Sequence, residues 1–396
     1  MQYLQLSKQF YKNAVDYEKL YLSRYNHEET IHVPISIHGN EAFLTHPKEV
    51  IQLLTNIYKE DKALSTNIRV LPGIALEQFM KKCLVDEIKL TNDIEGVYST
   101  RKEIKELISP KVELKNKKRL HGLVQKYIML SQQTDMEITT CQDIRNIYDE
   151  LVLQEVLEED ENNAPDGLIF RKDSVSVQGK DLQIIHYGVT PEEKIVSYMN
   201  ECIKILNNKD INPLVVVAIA HYIIGYIHPF YDGNGRLNRF ISSYYLSKEL
   251  HPLVGYSLSY TIKKQIDAYY KAFKITNDKR NKGDITPFVI IFLDFILQSM
   301  QHLNHTLESK RERLIYFYSK MEEKITNEKK KEMLFILLQN SLFGEEGLTV
   351  EQCAELVNIS ISTARNYITS LPKELFLVSK NGYKKLYDIN LDYFVE

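Results

Sequence analysis

Cysteine is scarce in this chain, with only Cys83, Cys141, Cys202 and Cys353 among 396 residues. The four are scattered at no metal-ligand or redox spacing, which excludes a disulfide scaffold or a thiolate metal centre as the organising principle. Excess charge is equally lacking. A formal net of −3 recommends neither a basic nucleic-acid binder nor a self-repelling disordered chain. Long apolar runs are missing too: the nearest candidate, 211–227, carries Asn212, Pro213 and His221 and falls short of the roughly 20 apolar residues of a membrane span. The first residues, Met-Gln-Tyr-Leu-Gln-Leu-Ser-Lys, do not follow the basic-then-apolar order of a secretory signal. The expectation is a cytoplasmic protein with no membrane partner. Its 44% hydrophobic content and its length allow a substantial core divided over two or three domains.

Against this plain background one stretch is dense in chemistry. His228 to Arg239 reads His-Pro-Phe-Tyr-Asp-Gly-Asn-Gly-Arg-Leu-Asn-Arg. Gly233 and Gly235 flank Asn234 and let backbone N–H groups approach an anion, with a helix N-terminus adding partial positive charge. Arg236 and Arg239 lie three apart on that helix, so both guanidinium groups are expected to face the same phosphates. Asp232 is placed to hold a magnesium ion. His228, just before the turn, is suited to take a proton from an incoming hydroxyl. Each residue alone has an ordinary reading as a turn, a core histidine or a solvated helix face. Their coincidence in twelve residues points instead to a nucleotide-phosphate site with its own base.

At every specified position this stretch resembles the Fic motif, His-x-Phe-x-(Asp/Glu)-Gly-Asn-Gly-Arg-x-x-Arg. The resemblance implies a protein adenylyltransferase, which moves AMP from ATP to a Ser, Thr or Tyr hydroxyl of a protein and releases pyrophosphate. His228 would then be the base and Phe230 would pack beneath the loop. Asp232 would ligate Mg²⁺ or Mn²⁺. Gly233, Asn234 and Gly235 would cradle the phosphates, with Arg236 and Arg239 neutralising the outer ones. Gly235 and Arg236 favour nucleotidyl over phosphoryl transfer. Many relatives carry Asn where Ser243 stands, so ATP is the expected co-substrate but UTP and GTP stay open.

Upstream, 76–96 has a helical apolar period that ends in Thr91-Asn-Asp-Ile-Glu95-Gly96, with Gly96 a plausible stop. Read alone it is an amphipathic helix with an exposed glutamate. It is also similar to the family's inhibitory pattern, (Ser/Thr)-x-x-x-Glu-(Gly/Asn), placed N-terminally as in the class II branch. That implies that Glu95 pairs with Arg239 and keeps the γ-phosphate from seating. Support of AMP removal by Glu95, seen in some relatives, stays open.

The fold class expected is mostly α: a Fic-type helical bundle with a β-hairpin flap, followed by a C-terminal winged helix. Helical spacing marks 118–132, 140–156, 191–207 and Pro213–Ile227, the last apolar nearly all round and therefore central. His221, within it, reads as a satisfied core histidine. The exception is 167–188, which alternates as two strands about a turn at Gly179. In the family such a flap pairs with an extended segment of the target protein. A long helical stretch, 286–328, leads to a tail whose three helices and hairpin, turning at Asn381-Gly382, resemble a winged helix. The boundaries expected are 1–75 for an N-terminal region, 76–300 for the Fic domain, 301–330 for a linker helix and 331–396 for the winged helix. Six Lys and Arg against nine Asp and Glu over 331–396 favour protein docking over DNA binding for that tail. A homo-oligomer is left open. The alternative function is a nucleotide-sensing transcriptional regulator or toxin-like module acting through the winged helix.

Overall fold

A computed structural model of the chain describes residues 3–108, 119–132, 134–178 and 184–395. The chain is mostly helical, and its described strands form three separate antiparallel pairs. Two compact units result, one of Met1–Asp61 with Val85–Met300, the other of Lys62–Leu84 with Gln301–Glu396. These are drawn differently from the sequence-based boundaries at 75 and 330. The N-terminal residues are tied into the first unit by backbone pairing, Phe43 N–H to the Gly283 carbonyl and Ile285 N–H to the Phe43 carbonyl, both 2.9 Å. Arg24 adds an ion pair to the fully buried Asp284 at 3.2 Å.

At the heart of the first unit runs the central helix, Pro213–Ile227. Pro213 opens it, and the Asn212 side chain accepts from Leu214 N–H as its cap. Almost every residue is buried, as an all-round apolar helix requires. It ends where His228 turns left-handed, φ 53°, and Pro229 cannot continue the ladder. The motif helix, Asn234–Glu249, packs beside it. His221 bridges this core, with Nδ1 against Ser242 Oγ at 2.7 Å and Nε2 against Tyr269 OH at 2.8 Å. Its polar atoms are thus both satisfied, which is the core role its surroundings suggest.

One stretch differs from the sequence expectation. The segment 140–156 is not one helix: Cys141–Tyr148 passes through a π turn, Asp149–Leu153, into Gln154–Glu159. Side-chain periodicity is blind to this, because a single wider turn shifts the face without interrupting the helical pattern. The hairpin within 167–188 is present as Ser176–Gln178 paired with Ile184–Tyr187; its turn at Gly179 lies outside the described residues.

The helix Thr286–Lys324 runs from the first unit into the second. Among the described residues it is the one helix long and apolar enough to cross a membrane, and 67% of its apolar window is buried. Phe288 and Phe292 of that window pack against the His221 ring, so this apolar face is spent on core.

In the second unit, Phe79 meets Phe343 edge to face at 6.4 Å and Ala75 N–H donates to Gln339 Oε1. Three helices follow in the tail, Glu328–Phe343, Val350–Val357 and Ile361–Thr369, then the strands Phe376–Asn381 and Lys384–Ile389. A capping box between Thr349 and Gln352 opens the second helix. The hairpin loop is Gly382-Tyr383, one residue later than expected, because Gly382 supplies the positive φ of 60°.

Candidate active site

The left-handed turn at His228 lifts its side chain out of the central helix onto the wall of a cavity of about 160 Å³. Backbone there is strained for a residue with a Cβ, and a buried arginine holds it. Arg171, fully buried, donates from Nε to the His228 carbonyl (2.8 Å) and from Nη2 to the carbonyls of Val189 (3.0 Å) and Ile227 (3.2 Å). One guanidinium therefore clamps the end of the central helix to the strand that leaves the hairpin. Burial pushes its pKa down to about 10. Nothing in the sequence marks Arg171, since its partners are backbone carbonyls as far as 57 residues away.

Burial, then the neighbouring His186 and Arg171, holds the His228 imidazole down at about 3, with the Gly225 backbone working weakly the other way. The side chain is neutral at neutral pH and ready to receive a proton.

The loop after His228 is closed by Asn234. Its Oδ1 accepts from Phe230 N–H at 2.9 Å and its Nδ2 donates to the Phe230 carbonyl at 2.8 Å. Its amide thus shapes the loop, and Asn234 also lines the cavity beside His228. Phe230 is buried beneath, stacked on Tyr148 with ring centroids 3.6 Å apart and edge-on to Phe170. Asp232 accepts from Gly233 N–H through Oδ1 at 2.6 Å. Gly233 is needed for its φ of +76° and because a Cβ there would press on Val152 and Tyr148. Gly235 opens the motif helix, and a Cβ there would overlap the Glu95 carboxylate.

The two arginines part company. Arg239 is buried on the cavity wall, and its Nη1 meets Glu95 Oε1 at 2.7 Å. Its Nε donates to Thr91 Oγ1 at 2.7 Å and its Nη2 to the Thr91 carbonyl at 2.9 Å. Thr91 in the last turn of the helix Gly73–Ile94 and Glu95 just past its end thus hold the same guanidinium. That helix stops at Gly96, φ 76°, with Val97 N–H returning to the Asn92 carbonyl at 3.0 Å in a Schellman closure. Arg236, by contrast, is buried against Glu155, Nη1 to Oε2 at 2.9 Å. Arg236 is not among the residues that line the cavity beside Arg239, so here the two arginines meet different carboxylates. Glu155 follows the π turn, a placement that periodicity could not give. It also borders a larger cavity of about 440 Å³ beside Arg119, His121 and Lys126. No motif residue lines that cavity, so size is the poorer guide to the chemistry.

Opposite His228 the smaller cavity is closed by Ser176, Val177 and His186 of the hairpin and by Tyr269, Tyr270 and Phe273. Ser243 is fully buried in the motif helix. Among the described residues no three His, Cys, Asp or Glu side chains cluster as a metal cage. A lone carboxylate such as Asp232 suits an ion of the magnesium type, which keeps waters and is shared with substrate phosphates.

Three neutral imidazoles in one core make stability sensitive to acid. Burial first, with a weaker Arg239 contribution, drives His221 far below its ordinary value; burial also pushes His186 down to about 4, and His228 stands at about 3. An unfolded histidine titrates near 6.5. Below that pH the unfolded chain binds protons that the folded chain refuses, and stability falls. Glu87 opposes this: burial raises it to about 7, so it stabilises as pH falls from about 7 toward the ordinary carboxylate range. Burial also raises Glu155 and Asp284, so the net expectation is a modest loss of stability as pH falls from about 6.5 toward 4.5. Thermal melting at pH 7.5 and at pH 5 checks this; an equal or higher midpoint at pH 5 refutes it.

Fold and site together bring an uncharged imidazole and the glycine-rich start of a helix into one cavity of a helical domain. Residues 138–246 match the model of the Fic/DOC family, and the chain carries a Fic domain there. It is 29% identical over 230 residues to "Protein adenylyltransferase Fic" of Drosophila ananassae, covering 56% of this chain and 41% of that protein. The same-named protein of Drosophila grimshawi is 36% identical over 87 residues, which is 22% of this chain and 16% of that one. The chain thus spans less than half the length of these curated relatives. A crystal structure of a Fic family protein from Desulfovibrio desulfuricans G20 shares the fold at 18% identity and a TM-score of 0.53, covering 87% of this chain and 97% of that one.

Proposed function

We propose that this chain transfers AMP from ATP to a protein hydroxyl and rests in a restrained state set by Glu95. One observation carries the reading: a single cavity is lined by the neutral His228 and by Gly235 and Arg239 of the motif helix. A pure nucleotide sensor needs the second part but not the first. In the reaction the target oxygen attacks the α-phosphorus and a new P–O bond forms. The bond from that phosphorus to the bridging oxygen breaks, pyrophosphate leaves with the electron pair, and His228 accepts the hydroxyl proton. Asp232 would hold Mg²⁺ arriving with the triphosphate, and that ion offsets phosphate charge. The helix N-terminus and Arg239 bind the phosphates once Arg239 is released from Glu95. The hairpin offers a strand for the target segment. Aromatic faces at Tyr269, Tyr270 and Phe273 suit a purine base, so ATP is the co-substrate of choice despite Ser243.

Incubating the Glu95→Gly protein with ATP labelled at either the α- or the γ-phosphate tests this. Label should reach protein from the α position only, and excess chelator or Asp232→Ala should reduce the rate by at least tenfold. Tight ATP binding with no labelled protein, across lysates as well as purified chain, would overturn the transferase reading in favour of the sensor.

A further inference from the structure

The cavity holds a second imidazole that the mechanism above leaves unused. His186 sits on strand Ile184–Tyr187 of the hairpin and lines the same cavity as His228. Its ring stacks on Tyr226 of the central helix, centroids 5.6 Å apart and planes 11° from parallel. Its Nε2 lies 3.1 Å from the Tyr226 carbonyl. A carbonyl only accepts, so Nε2 carries the proton and Nδ1 is an acceptor. That Nδ1 is buried and has no hydrogen-bond partner.

We propose that His186 is the positioning residue that sets the hairpin over His228, and with it the target hydroxyl. The proposal rests on the transferase reading. The central helix delivers His228 from its last turn, and Tyr226 lies two residues before it. A side chain of the hairpin that hydrogen-bonds and stacks at Tyr226 ties the strand to the very turn that aims the base. Isolated two-stranded pairs are marginal in water, and this one is three residues against four, so its place depends on such a tie. Cross-strand, His186 faces Val177, and both line the cavity; the face that carries them is the one turned to the reacting groups. The unpartnered Nδ1 is consistent with the role, because a buried acceptor without a donor is costly and is kept where a function requires that tautomer.

Two measurements on His186→Ala and His186→Gln decide the matter. Glutamine can place an amide N–H near the Nε2 position and so restore the bond to Tyr226. Amide hydrogen exchange of 184–187 in the protein without substrate should quicken at least tenfold in His186→Ala and return toward the parental rate in His186→Gln. In the Glu95→Gly background, His186→Ala should raise KM for the protein target about tenfold while ATP affinity and kcat at saturating target stay within about threefold. His186→Gln should recover most of that KM. Unchanged exchange in His186→Ala overturns the proposal whatever the activity. So does a KM that stays put, or a loss spread equally over ATP affinity, kcat and KM that glutamine does not rescue. If Glu95→Gly itself transfers no AMP, the transferase reading fails, and the exchange arm still decides whether His186 ties the hairpin.

Discussion

His228→Ala should lower the rate of AMP transfer by about 10²–10⁴-fold while ATP affinity changes by less than about threefold. The magnitude is that of losing a general base. The separation follows from geometry: the base stands at the end of the central helix, whereas Gly235 and Arg239 stand on the motif helix. The left-handed backbone at 228 is strained for any residue with a Cβ but is adopted more readily by histidine than by alanine, so the variant should also melt slightly earlier. Asparagine tolerates that conformation better, and His228→Asn should keep the parental melting temperature and lose transfer equally. Equilibrium ATP binding, single-turnover transfer and thermal melting separate these contributions. Transfer at the parental rate in either variant would remove His228 from the mechanism.

Glu95→Gly should act in the opposite direction and raise transfer by about 10–100-fold. The carboxylate lies against Gly235 at the start of the motif helix, where backbone N–H groups favour an anion. On the proposed reading it stands where a phosphate would bind and engages the arginine that the phosphate would need. Two like charges about 4 Å apart repel by about 4 kcal/mol at an effective dielectric near 20. Glu95 is 26% exposed, so water screens part of this, and a gain of one to two powers of ten corresponds to about 1.4–2.8 kcal/mol. Arg239 remains fixed in the variant by Thr91, which keeps the fold intact. Adding Arg239→Ala should abolish the gain, because the released arginine then has no guanidinium to offer. Initial rates for the three proteins at saturating ATP decide this. If Glu95→Gly is no faster than its parent on several targets, the restraint lies elsewhere.

Several parts of the site were legible in order of residues alone. Gly96 as a helix stop, Thr91 and Glu95 on one helix face, and the buried helix ahead of His228 all follow from spacing and backbone preference. Others were beyond reach. Arg171 and His186 carry no motif, and each earns its position from carbonyls on the central helix, 56–57 and 40 residues away in the chain. The π turn before Glu155 leaves the apolar pattern intact, so a helix of continuous period looked correct from 140 to 156. The N-terminal hairpin, Ile31–Ile37 with Asn40–Leu44, has a local signature only for its strands. Its membership of the first unit comes from Phe43 pairing with Gly283 and Ile285.

The amino-acid order by itself determined which chemistry gathers in one loop: an imidazole, a carboxylate, glycines at the start of a helix and two arginines within twelve residues. Those are properties of residue type and local spacing, and no fold is needed to state them. Only the tertiary structure decided which arginine serves the cavity. Residues three apart on a helix point about 60° away from each other, enough for one to meet Glu155 and the other Glu95. Which neighbour each meets depends on how the helices rotate against one another, and that is set by packing of distant segments.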